Sequence, residues 1–190
     1  MNVVILFEES GVVRRAFQER GCIVISVDLQ PSRDNSKMHL QEDVSSFFNK
    51  NWSADLIIMH PPCTALAVSG NRWYGRGMPK HEERLKSLAQ TWTWFEKAKD
   101  KARYVCMENP VGVLGKATQY IQPWQFGHGE TKKTGLWLHN LPKIEPTDIV
   151  EGREQRVWKM GPSPERAKLR SETYKGIAEA MADQWGSLET

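Results

Sequence analysis

Four runs of apolar residues, separated by turns and helical patterns, most narrowly constrain how this chain can fold. The runs are Val3–Phe7, Cys22–Val27, Leu56–Met59 and Tyr104–Met107. Runs of this length without polar alternation are typical of strands that are covered on both faces. Helical spacing occurs between them, at Val13, Ala16 and Phe17 and again from His81 to Lys101. This alternation predicts an α/β fold with a Rossmann-like, doubly wound, mainly parallel sheet.

The rest of the chain carries weaker patterns. We expect a short strand ending at Asp43, a strand over Gly135–Leu138 and a final helix from Tyr174 to Trp185. Residues 64–80 have several glycines and no periodicity, which predicts a long mobile loop. The helix of residues 81–101 is predicted to bury one face, formed by Leu85, Leu88, Trp92 and Phe95. We treat residues 1–190 as a single domain, in which 139–170 form a short segment rich in proline and charge.

Several classes of protein are disfavoured by the sequence. The N-terminal apolar run is predicted to be a strand and not a signal peptide, because acids follow it and no basic leader precedes it. No apolar stretch approaches the roughly 20 residues that a membrane-spanning helix needs. The three cysteines form no disulfide framework, and their spacing to the histidines is not typical of a metal site. We therefore expect a cytoplasmic protein that binds neither a membrane nor a metal.

The positive charge of the chain is concentrated in its middle. The formal net charge is +3, but residues 64–143 carry 13 basic and 6 acidic side chains, a net charge of +7. The segments on either side each have a net charge of −2. Such a distribution is found where a surface binds a phosphate-bearing partner, and also on ordinary solvated basic surfaces.

Polar or reactive residues directly follow each of the first five predicted strands. They are Ser10-Gly11, Asp28, Asp43, Pro61-Pro62-Cys63 and Glu108-Asn109-Pro110. In a doubly wound sheet, ligands bind beyond the carboxyl ends of the strands, near the point where the strand order reverses. We therefore expect these residues to line one rim of the sheet.

The first two strand ends suggest a nucleoside cofactor without a pyrophosphate. Asp28 is suited to accept hydrogen bonds from ribose hydroxyls, although a turn-forming aspartate before Pro31 is the alternative. The turn from Phe7 to Gly11 has one glycine, and its Glu8 and Glu9 would repel a pyrophosphate at the start of a helix. S-adenosylmethionine, which carries a sulfonium and an ammonium group, suits such acids better.

Cys63 and Glu108 are the residues best suited to chemistry. Two prolines hold the backbone ahead of Cys63, so its thiol is a candidate nucleophile if its pKa is lowered; the alternative is a small buried apolar side chain. Glu108 follows a buried strand, and loss of solvent is expected to raise its pKa so that it remains a proton donor near neutral pH. The alternative is a carboxylate paired with a structural arginine or lysine.

In combination, Pro61-Pro62-Cys63 and Glu108-Asn109 resemble the DNA (cytosine-5) methyltransferases, whose hallmarks are a Pro-Cys nucleophile and a Glu-Asn pair. Other segments that follow the order of that family are Leu6 to Gly11, Ala16-Phe17, Gly21, Asp28, Asp43, Phe126-Gly127, Glu130-Thr131-Lys132 and Ile177–Met181. The resemblance covers most of residues 3–138 and the last helix. Lys132 and Thr134 stand where the family has two arginines. The resemblance implies a fold of the S-adenosylmethionine-dependent methyltransferase type.

The site residues are assigned on the resemblance and on their positions. Cys63 and Glu108 are assigned to catalysis. The cofactor is assigned to Phe7, Ser10, Gly11, Asp28, Asp43 and Pro61. The substrate is assigned to Pro62, Ser69, Arg72, Asn109 and Lys132, of which Ser69 and Arg72 belong to a loop that offers cations and aromatic rings to a nucleic acid.

The implied activity is methyl transfer from S-adenosylmethionine to carbon 5 of cytosine in DNA, through a covalent adduct with Cys63. The 139–170 segment stands in place of a conventional target-recognition domain, so a partner protein or a homodimer would supply target recognition. Three alternatives stay open: carbon 5 methylation of a free cytosine nucleotide, an exocyclic-amine methyltransferase that uses His60-Pro61-Pro62-Cys63, and a non-catalytic nucleic-acid-binding module.

Overall fold

A seven-stranded sheet with helices on both faces forms the described part of the chain. The computed structural model describes residues 1–159, Gly161 and residues 170–189. The strands are β1 (Asn2–Leu6), β2 (Ile23–Asp28), β3 (His39–Gln41), β4 (Ala54–Met59), β5 (Ala102–Pro110), β6 (Gln119–Ile121) and β7 (Thr134–His139). Their order in the sheet is β3-β2-β1-β4-β5-β7-β6. The pairs from β3 to β5 are parallel, and β7 is antiparallel to both of its neighbours.

The helices cover both faces of the sheet. They are α1 (Val12–Gln18), α2 (Val44–Phe48), α3 (Asn71–Tyr74), α4 (His81–Lys101), α5 (Arg156–Lys159) and α6 (Lys175–Trp185). Helices α1 and α6 cover the face that includes Val3 and Ile5. Helices α2 and α4 cover the opposite face, with Val4 and Leu6. Because successive strand residues point to opposite faces and both faces are buried, β1 is an unbroken apolar run.

Helix α6 closes the core on the α1 face. Its Ile177, Met181 and Trp185 are buried in one apolar cluster with residues of α1, and Trp185 is fully buried. At the edge of this contact, Arg20 donates to Asp183 over 2.7 Å. A helix late in the chain thus completes a core that begins with the first strand.

The predicted doubly wound, mainly parallel α/β sheet is confirmed by this topology. The long helix has the predicted bounds, His81–Lys101. Its predicted buried face is wrong at Leu85, which is 45% exposed, because the neighbouring Arg84 takes the inward position. Strand β6 is absent from the prediction, since its three residues carry no alternation or apolar run.

Residues 64–80, predicted to form a long mobile loop without periodicity, contain helical turns that the sequence did not indicate. A 3-10 turn, Val68–Gly70, and α3 lie within this stretch. Arg84 reaches back from α4 and donates to the carbonyl oxygens of Ala65 and Ala67, over 2.6 and 3.3 Å, and to Asn71 Oδ1 over 2.8 Å. We call residues 64–80 the 64–80 lobe. It is an ordered structure held by one buried guanidinium.

Replacing Arg84 by methionine is expected to loosen the 64–80 lobe. Methionine keeps the apolar stem but leaves the buried carbonyl of Ala65 without its donor, at about 1–3 kcal/mol. The carbonyl of Ala67 loses one of two donors, since it also accepts from Gly70 N–H. We expect a lower free energy of unfolding in urea and faster amide hydrogen exchange at Val68, whose N–H bonds to the carbonyl of Val111. Lys86→Met, an exposed change on the same helix, is the control; equal unfolding curves for the two variants would contradict this account.

Residues 139–159 lie along residues 122–131. Gly127 N–H donates to the carbonyl of Asp148 over 2.8 Å, and Thr131 N–H donates to that of Glu154, also over 2.8 Å. Of the predicted 139–170 segment, residue 160 and residues 162–169 lie outside the described residues. Within the described ranges, no helix has the length and apolar character needed to cross a membrane, and no three metal-ligating side chains cluster. All three cysteines are free.

Candidate active site

The reversal of strand order lies between β1 and β4, and it opens a crevice at the carboxyl ends of these strands. From β1 the chain proceeds outward to β2 and β3, and then crosses back to β4 and β5 on the other side. The ends of β1 and β4 are tied together, since His60 N–H donates to the carbonyl of Leu6 over 3.0 Å. The residues that follow these two strands are therefore neighbours in space, as expected for a ligand site in such a sheet.

A cavity of about 320 Å³ occupies this crevice. Its lining includes five of the residues that the sequence assigns to the site: Phe7, Ser10, Asp28, Asp43 and Pro62. Two of the assigned cofactor residues, Gly11 and Pro61, are not among its lining residues. The lining also contains Trp94 of α4 and Glu172 of the segment before α6. A helix on one face of the sheet and the segment that leads into α6 thus contribute to one cavity.

The turn after β1 is a strained element at the base of this cavity. Phe7 has a φ of 61°, a left-handed conformation that costs a non-glycine residue about 1–2 kcal/mol. Its N–H donates to the carbonyl of Val27 over 2.8 Å, and its ring packs against Trp94 with 4.7 Å between centroids. Gly11 has a φ of 70°, and a Cβ at this position would lie 2.4 Å from an Arg14 nitrogen. Only glycine fits there, so Gly11 shapes the turn from behind the cavity.

Glu8 has a different role from the one that its position in the sequence suggests. Its carboxylate is buried, 5% exposed, and accepts hydrogen bonds from the N–H groups of Val13, over 2.6 Å, and Arg14, over 3.2 Å. It therefore caps α1 from within the turn, and burial raises its pKa. The helix start disfavours a pyrophosphate because a carboxylate of the chain already occupies it, and not through repulsion by two free acids. The second acid, Glu9, is paired with Arg33 over 2.6 Å.

The cavity is rich in carboxylates. Its described lining has five, Glu8, Glu9, Asp28, Asp43 and Glu172, against a single arginine, Arg33. Asp28 Oδ1 accepts from the N–H of Gln30 over 2.8 Å, and burial, with the charge of Glu9 nearby, raises the pKa of Asp28. Asp43 Oδ1 caps α2 by accepting from Ser46 N–H over 2.9 Å. Burial is the main cause of the raised pKa values of Glu8 and Asp28. With five carboxylates against one arginine, the described lining favours a cationic ligand.

Arg33 ties the C-terminal segment to the cavity. It donates to Glu9 on one side and to Glu172 on the other, over 2.6 and 2.5 Å. These partners lie 24 and 139 residues from Arg33 along the chain. No local pattern marks such a contact, and both Arg33 and Glu172 are absent from the residues that the sequence predicts.

The Cys63 turn is held from below by Asn109. Asn109 is fully buried, and its amide donates to the carbonyl of Pro61 over 2.8 Å. The carbonyl of Cys63 accepts from the N–H groups of Leu66 and Ala67, over 2.9 Å each. The structure thus places Asn109 and Pro61 behind the Cys63 turn. Both fix the direction of Cys63.

The thiol of Cys63 is not activated in the ligand-free protein. Its pKa is raised by burial and by the negative charge of Glu108, and the positive charges of Lys132 and Arg170 offset this only in part. The expectation of a lowered thiol pKa is therefore not met in this state. Cys63 and Glu108 are nonetheless close enough for their charges to act on each other, although they are 45 residues apart in the chain.

The expectation of a raised pKa for Glu108 is wrong. Burial alone would raise it, but a hydrogen bond from His60, the charges of His60 and Lys132, and a hydrogen bond from Thr134 together lower it. His60 Nδ1 lies 3.0 Å from Glu108 Oε2, and the exposed fractions of the two side chains are 9% and 13%. The sequence reasoning considered an arginine or lysine partner for Glu108. The partner is a histidine at the end of the neighbouring strand.

Three assigned residues remain: Lys132, which acts on Glu108 through its charge, and Ser69 and Arg72 on the 64–80 lobe. Lys132 Nζ donates to the carbonyl of Arg170 over 2.8 Å, and its charge acts on both Glu108 and Cys63. Ser69 and Arg72 are exposed on the 64–80 lobe, outside the cavity lining. The guanidinium of Arg72 lies 5.5 Å from the ring centroid of Trp73, which is 54% exposed.

No protein-family model matches the chain, and no curated protein matches it. The chain is similar to the Dnmt2 methyltransferase of S. pombe, at 14% sequence identity and a TM-score of 0.49, over 84% of this chain and 54% of that chain. It is also similar to a mutant of Spodoptera frugiperda DNMT2, at 15% identity and a TM-score of 0.35, over 82% of this chain and 54% of that chain. The chain spans about half the length of each of these structures.

Proposed function

We propose that this chain transfers a methyl group from S-adenosylmethionine to carbon 5 of cytosine in DNA, through a covalent adduct with Cys63. The observation that carries the proposal is the position of Cys63 and Glu108. They follow the neighbouring strands β4 and β5 and act on each other through charge, and Pro62, next to Cys63, lines the carboxylate-rich cavity at the reversal point of the sheet. A thiol, a carboxyl group and a site for a cationic cofactor are what this reaction requires.

The residues of the cavity fit S-adenosylmethionine. The volume of about 320 Å³ falls at the lower end of the range for small-molecule sites. In this proposal Asp28, at the end of β2 and in the lining of the cavity, accepts hydrogen bonds from the ribose hydroxyls. The excess of carboxylates suits a sulfonium and an ammonium group, while Glu8 blocks the helix start to a pyrophosphate. When bound, S-adenosylmethionine supplies an electrophilic methyl group.

The residues of the chain prepare cytosine to accept the methyl group. The sulfur of Cys63 adds to carbon 6 as its thiol proton is lost, while Glu108 donates a hydrogen bond or a proton to ring nitrogen 3. This addition makes carbon 5 electron-rich. After carbon 5 is methylated, loss of its proton expels the sulfur of Cys63. Asn109 and the two prolines keep the thiol in one direction throughout.

A nucleic acid is the substrate class that we favour. The 64–80 lobe continues directly from Cys63 and presents Trp73 with Arg72 stacked on it, together with exposed Arg76 and Lys80. Exposed rings and cations of this kind bind unstacked bases and phosphates. Because Arg84 holds the lobe, these groups are offered on an ordered surface. In a duplex, the target base must leave the stack to reach Cys63.

Target recognition is assigned in this proposal to a partner protein or a second copy of the chain. The described part of the 139–170 segment is occupied in packing along residues 122–131. Light scattering measures the mass of the protein with and without DNA. A mass twice that of one chain would show that a second copy is present.

Transfer of a labelled methyl group to duplex DNA, single-stranded DNA and cytidine nucleotides tests the function. We expect labelled 5-methylcytosine in DNA, with an affinity that falls as salt is raised. Label confined to the free nucleotide would support nucleotide methylation, and label on the exocyclic nitrogen would support an amine methyltransferase. Nucleic-acid binding without calorimetric binding of S-adenosylmethionine would support a binding module. Each of these three results rejects the proposal.

Replacing Asp28 by asparagine is expected to weaken S-adenosylmethionine binding about 10- to 100-fold, the loss of a charge-assisted pair of hydrogen bonds. The affinity of the wild-type protein should fall as the pH falls, because the raised pKa of Asp28 lets it take up a proton, and a neutral carboxyl group is a weaker acceptor for ribose hydroxyls than a carboxylate. Calorimetric titration over a pH series measures both effects. Asp100→Asn, an exposed change on α4, should leave the affinity unchanged; a matching loss there would show that the effect of Asp28→Asn is not local.

A further inference from the structure

His60 lies between the cofactor cavity and Glu108. It follows β4, lines the cavity, and places Nδ1 3.0 Å from Glu108 Oε2. An ionised carboxylate only accepts, so Nδ1 is the nitrogen that carries a proton. The other ring nitrogen, Nε2, is buried and has no hydrogen-bond partner among the described residues. The His60 side chain is 9% exposed, so this proton-bearing ring is held in a buried position beside Glu108.

The state of Glu108 makes a second group necessary. The reaction needs a proton on Glu108 when ring nitrogen 3 of cytosine becomes basic. In the ligand-free protein the pKa of Glu108 is lowered, so the carboxylate form prevails. Lys132 stabilises that form through its charge alone, and its ammonium already donates to the carbonyl of Arg170. His60 is the proton-bearing group in hydrogen-bond contact with Glu108 whose ordinary titration range includes neutral pH.

We propose that His60 is a positioning residue that supplies Glu108 with its proton; this inference rests on the proposed function. As Cys63 adds to carbon 6, the proton on Nδ1 of the His60 imidazolium moves to Glu108 Oε2, and Glu108 donates a proton to ring nitrogen 3. The imidazole is left neutral. When the sulfur of Cys63 is expelled, ring nitrogen 3 returns its proton to Glu108 and the imidazolium re-forms. No net proton is gained or lost by the pair.

The charged groups around the pair determine its pH dependence. Glu8, on the turn after β1, faces His60 and favours the imidazolium. Lys132, before β7, faces Glu108 and favours the carboxylate, and Thr134 donates to it. The charge of Glu108 raises the pKa of Cys63 and of Cys106, which is buried in β5. Arg170 lowers the pKa of Cys63. The active form carries a proton on both ring nitrogens of His60, so activity should be lost as the pH rises through the titration of the pair.

The first test is the pH profile of methyl transfer by His60→Gln. Glutamine still donates a hydrogen bond to Glu108 but supplies no proton. We expect a turnover about 100-fold lower at pH 7.5, a descending limb that moves to lower pH, and partial recovery as the pH is lowered, because solvent then protonates Glu108. The affinity for S-adenosylmethionine should change little. His139→Asn is the control, since His139 pairs with Val105 toward the opposite end of β5. A His60→Gln variant with the wild-type descending limb overturns the inference.

The second test needs no activity. In the nuclear magnetic resonance spectrum at a fixed pH, Glu108→Gln should move the Nδ1–H signal of His60 upfield, because a hydrogen bond to a charged carboxylate is replaced by a weaker one to a neutral amide. An unchanged signal overturns the inference. If the signal moves and the wild-type protein transfers no methyl group, the pairing stands, and the proposed function fails together with the positioning role of His60. If the wild-type protein transfers methyl groups and His60→Gln matches it at every pH, the function stands and the role of His60 fails.

Discussion

Replacing Cys63 by serine should abolish the covalent adduct with DNA that carries 5-fluorocytosine, and should lower methyl transfer at least about 10⁴-fold. A hydroxyl group loses its proton far less readily than a thiol, and the rigid turn that Asn109 supports leaves no other cysteine in reach. Cys22 and Cys106, the other two cysteines, are both buried within the core. The measurement is a gel shift of the denaturation-resistant adduct in the presence of S-adenosylmethionine.

Two controls make the Cys63 result specific. Cys22→Ala, in the core far from the cavity, should keep the adduct. Calorimetry on Cys63→Ser should give wild-type affinity for S-adenosylmethionine, because Cys63 does not line the cavity. Equal adduct formation by Cys63→Ser and the wild-type protein would falsify the carbon 5 mechanism. Equal methyl transfer without an adduct in either protein would point to chemistry on the exocyclic amine.

Replacing Glu108 by glutamine should lower turnover about 10²- to 10⁴-fold, the range for loss of a general acid. The amide retains the shape and a hydrogen-bond donor but transfers no proton to ring nitrogen 3. Cofactor affinity should be preserved, because Glu108 is not among the lining residues of the cavity. Glu145→Gln, an exposed change on the 139–159 stretch, should leave turnover unchanged.

The same variant should change the reactivity of Cys63 in the absence of substrate. The charge of Glu108 raises the pKa of Cys63, so its removal increases the thiolate fraction. Alkylation of Cys63 by iodoacetamide should therefore be faster in Glu108→Gln than in the wild-type protein at the same pH. A slower or equal rate would mean that the two side chains do not act on each other.

The variant should also be less sensitive to acid. The folded state lowers the pKa of Glu108, so its carboxylate stabilises the fold above the ordinary titration range of a glutamate, and this stabilisation is lost as the pH falls through that range. Glutamine does not titrate. The unfolding free energy of Glu108→Gln should thus depend less steeply on pH between the ordinary pKa of a glutamate and the lowered pKa of Glu108, in urea titrations from about pH 6 down to about pH 3.

The sheet and its rim follow from local sequence patterns. Strands β1, β2, β4 and β5 are buried on both faces, so each is an apolar run with a polar residue at its end. This pattern is sufficient to predict the strands and the residues at the rim of the sheet. The lobe and β6 lack such patterns: α3 has four residues, and its order comes from Arg84 on another helix. The inward position of Arg84 also explains why the predicted face of α4 fails at Leu85.

The chemistry of the site was less accessible from the sequence than its location. The prediction of a raised pKa for Glu108 rests on burial alone. The pKa is instead lowered, in large part by His60, which lies 48 residues away in the chain. The sequence suggests that Glu8 faces a ligand. Its actual bonds to the N–H groups of Val13 and Arg14 depend on the strained turn at Phe7, which no sequence pattern indicates. A polar residue directly after a buried strand and before two prolines was a usable signal for His60. No comparable signal exists for the contact between Arg33 and Glu172.

The packing of α6 on α1 has a consequence for the way this protein is made. The α1 face of the sheet begins with Val3, but Trp185, which is fully buried there, is synthesised 182 residues later. Until then, the part of this face that α6 covers stays open. The sheet therefore cannot close its core progressively during synthesis. Its folding is completed only after translation has passed α6, and a chaperone has a defined surface to shield in the meantime.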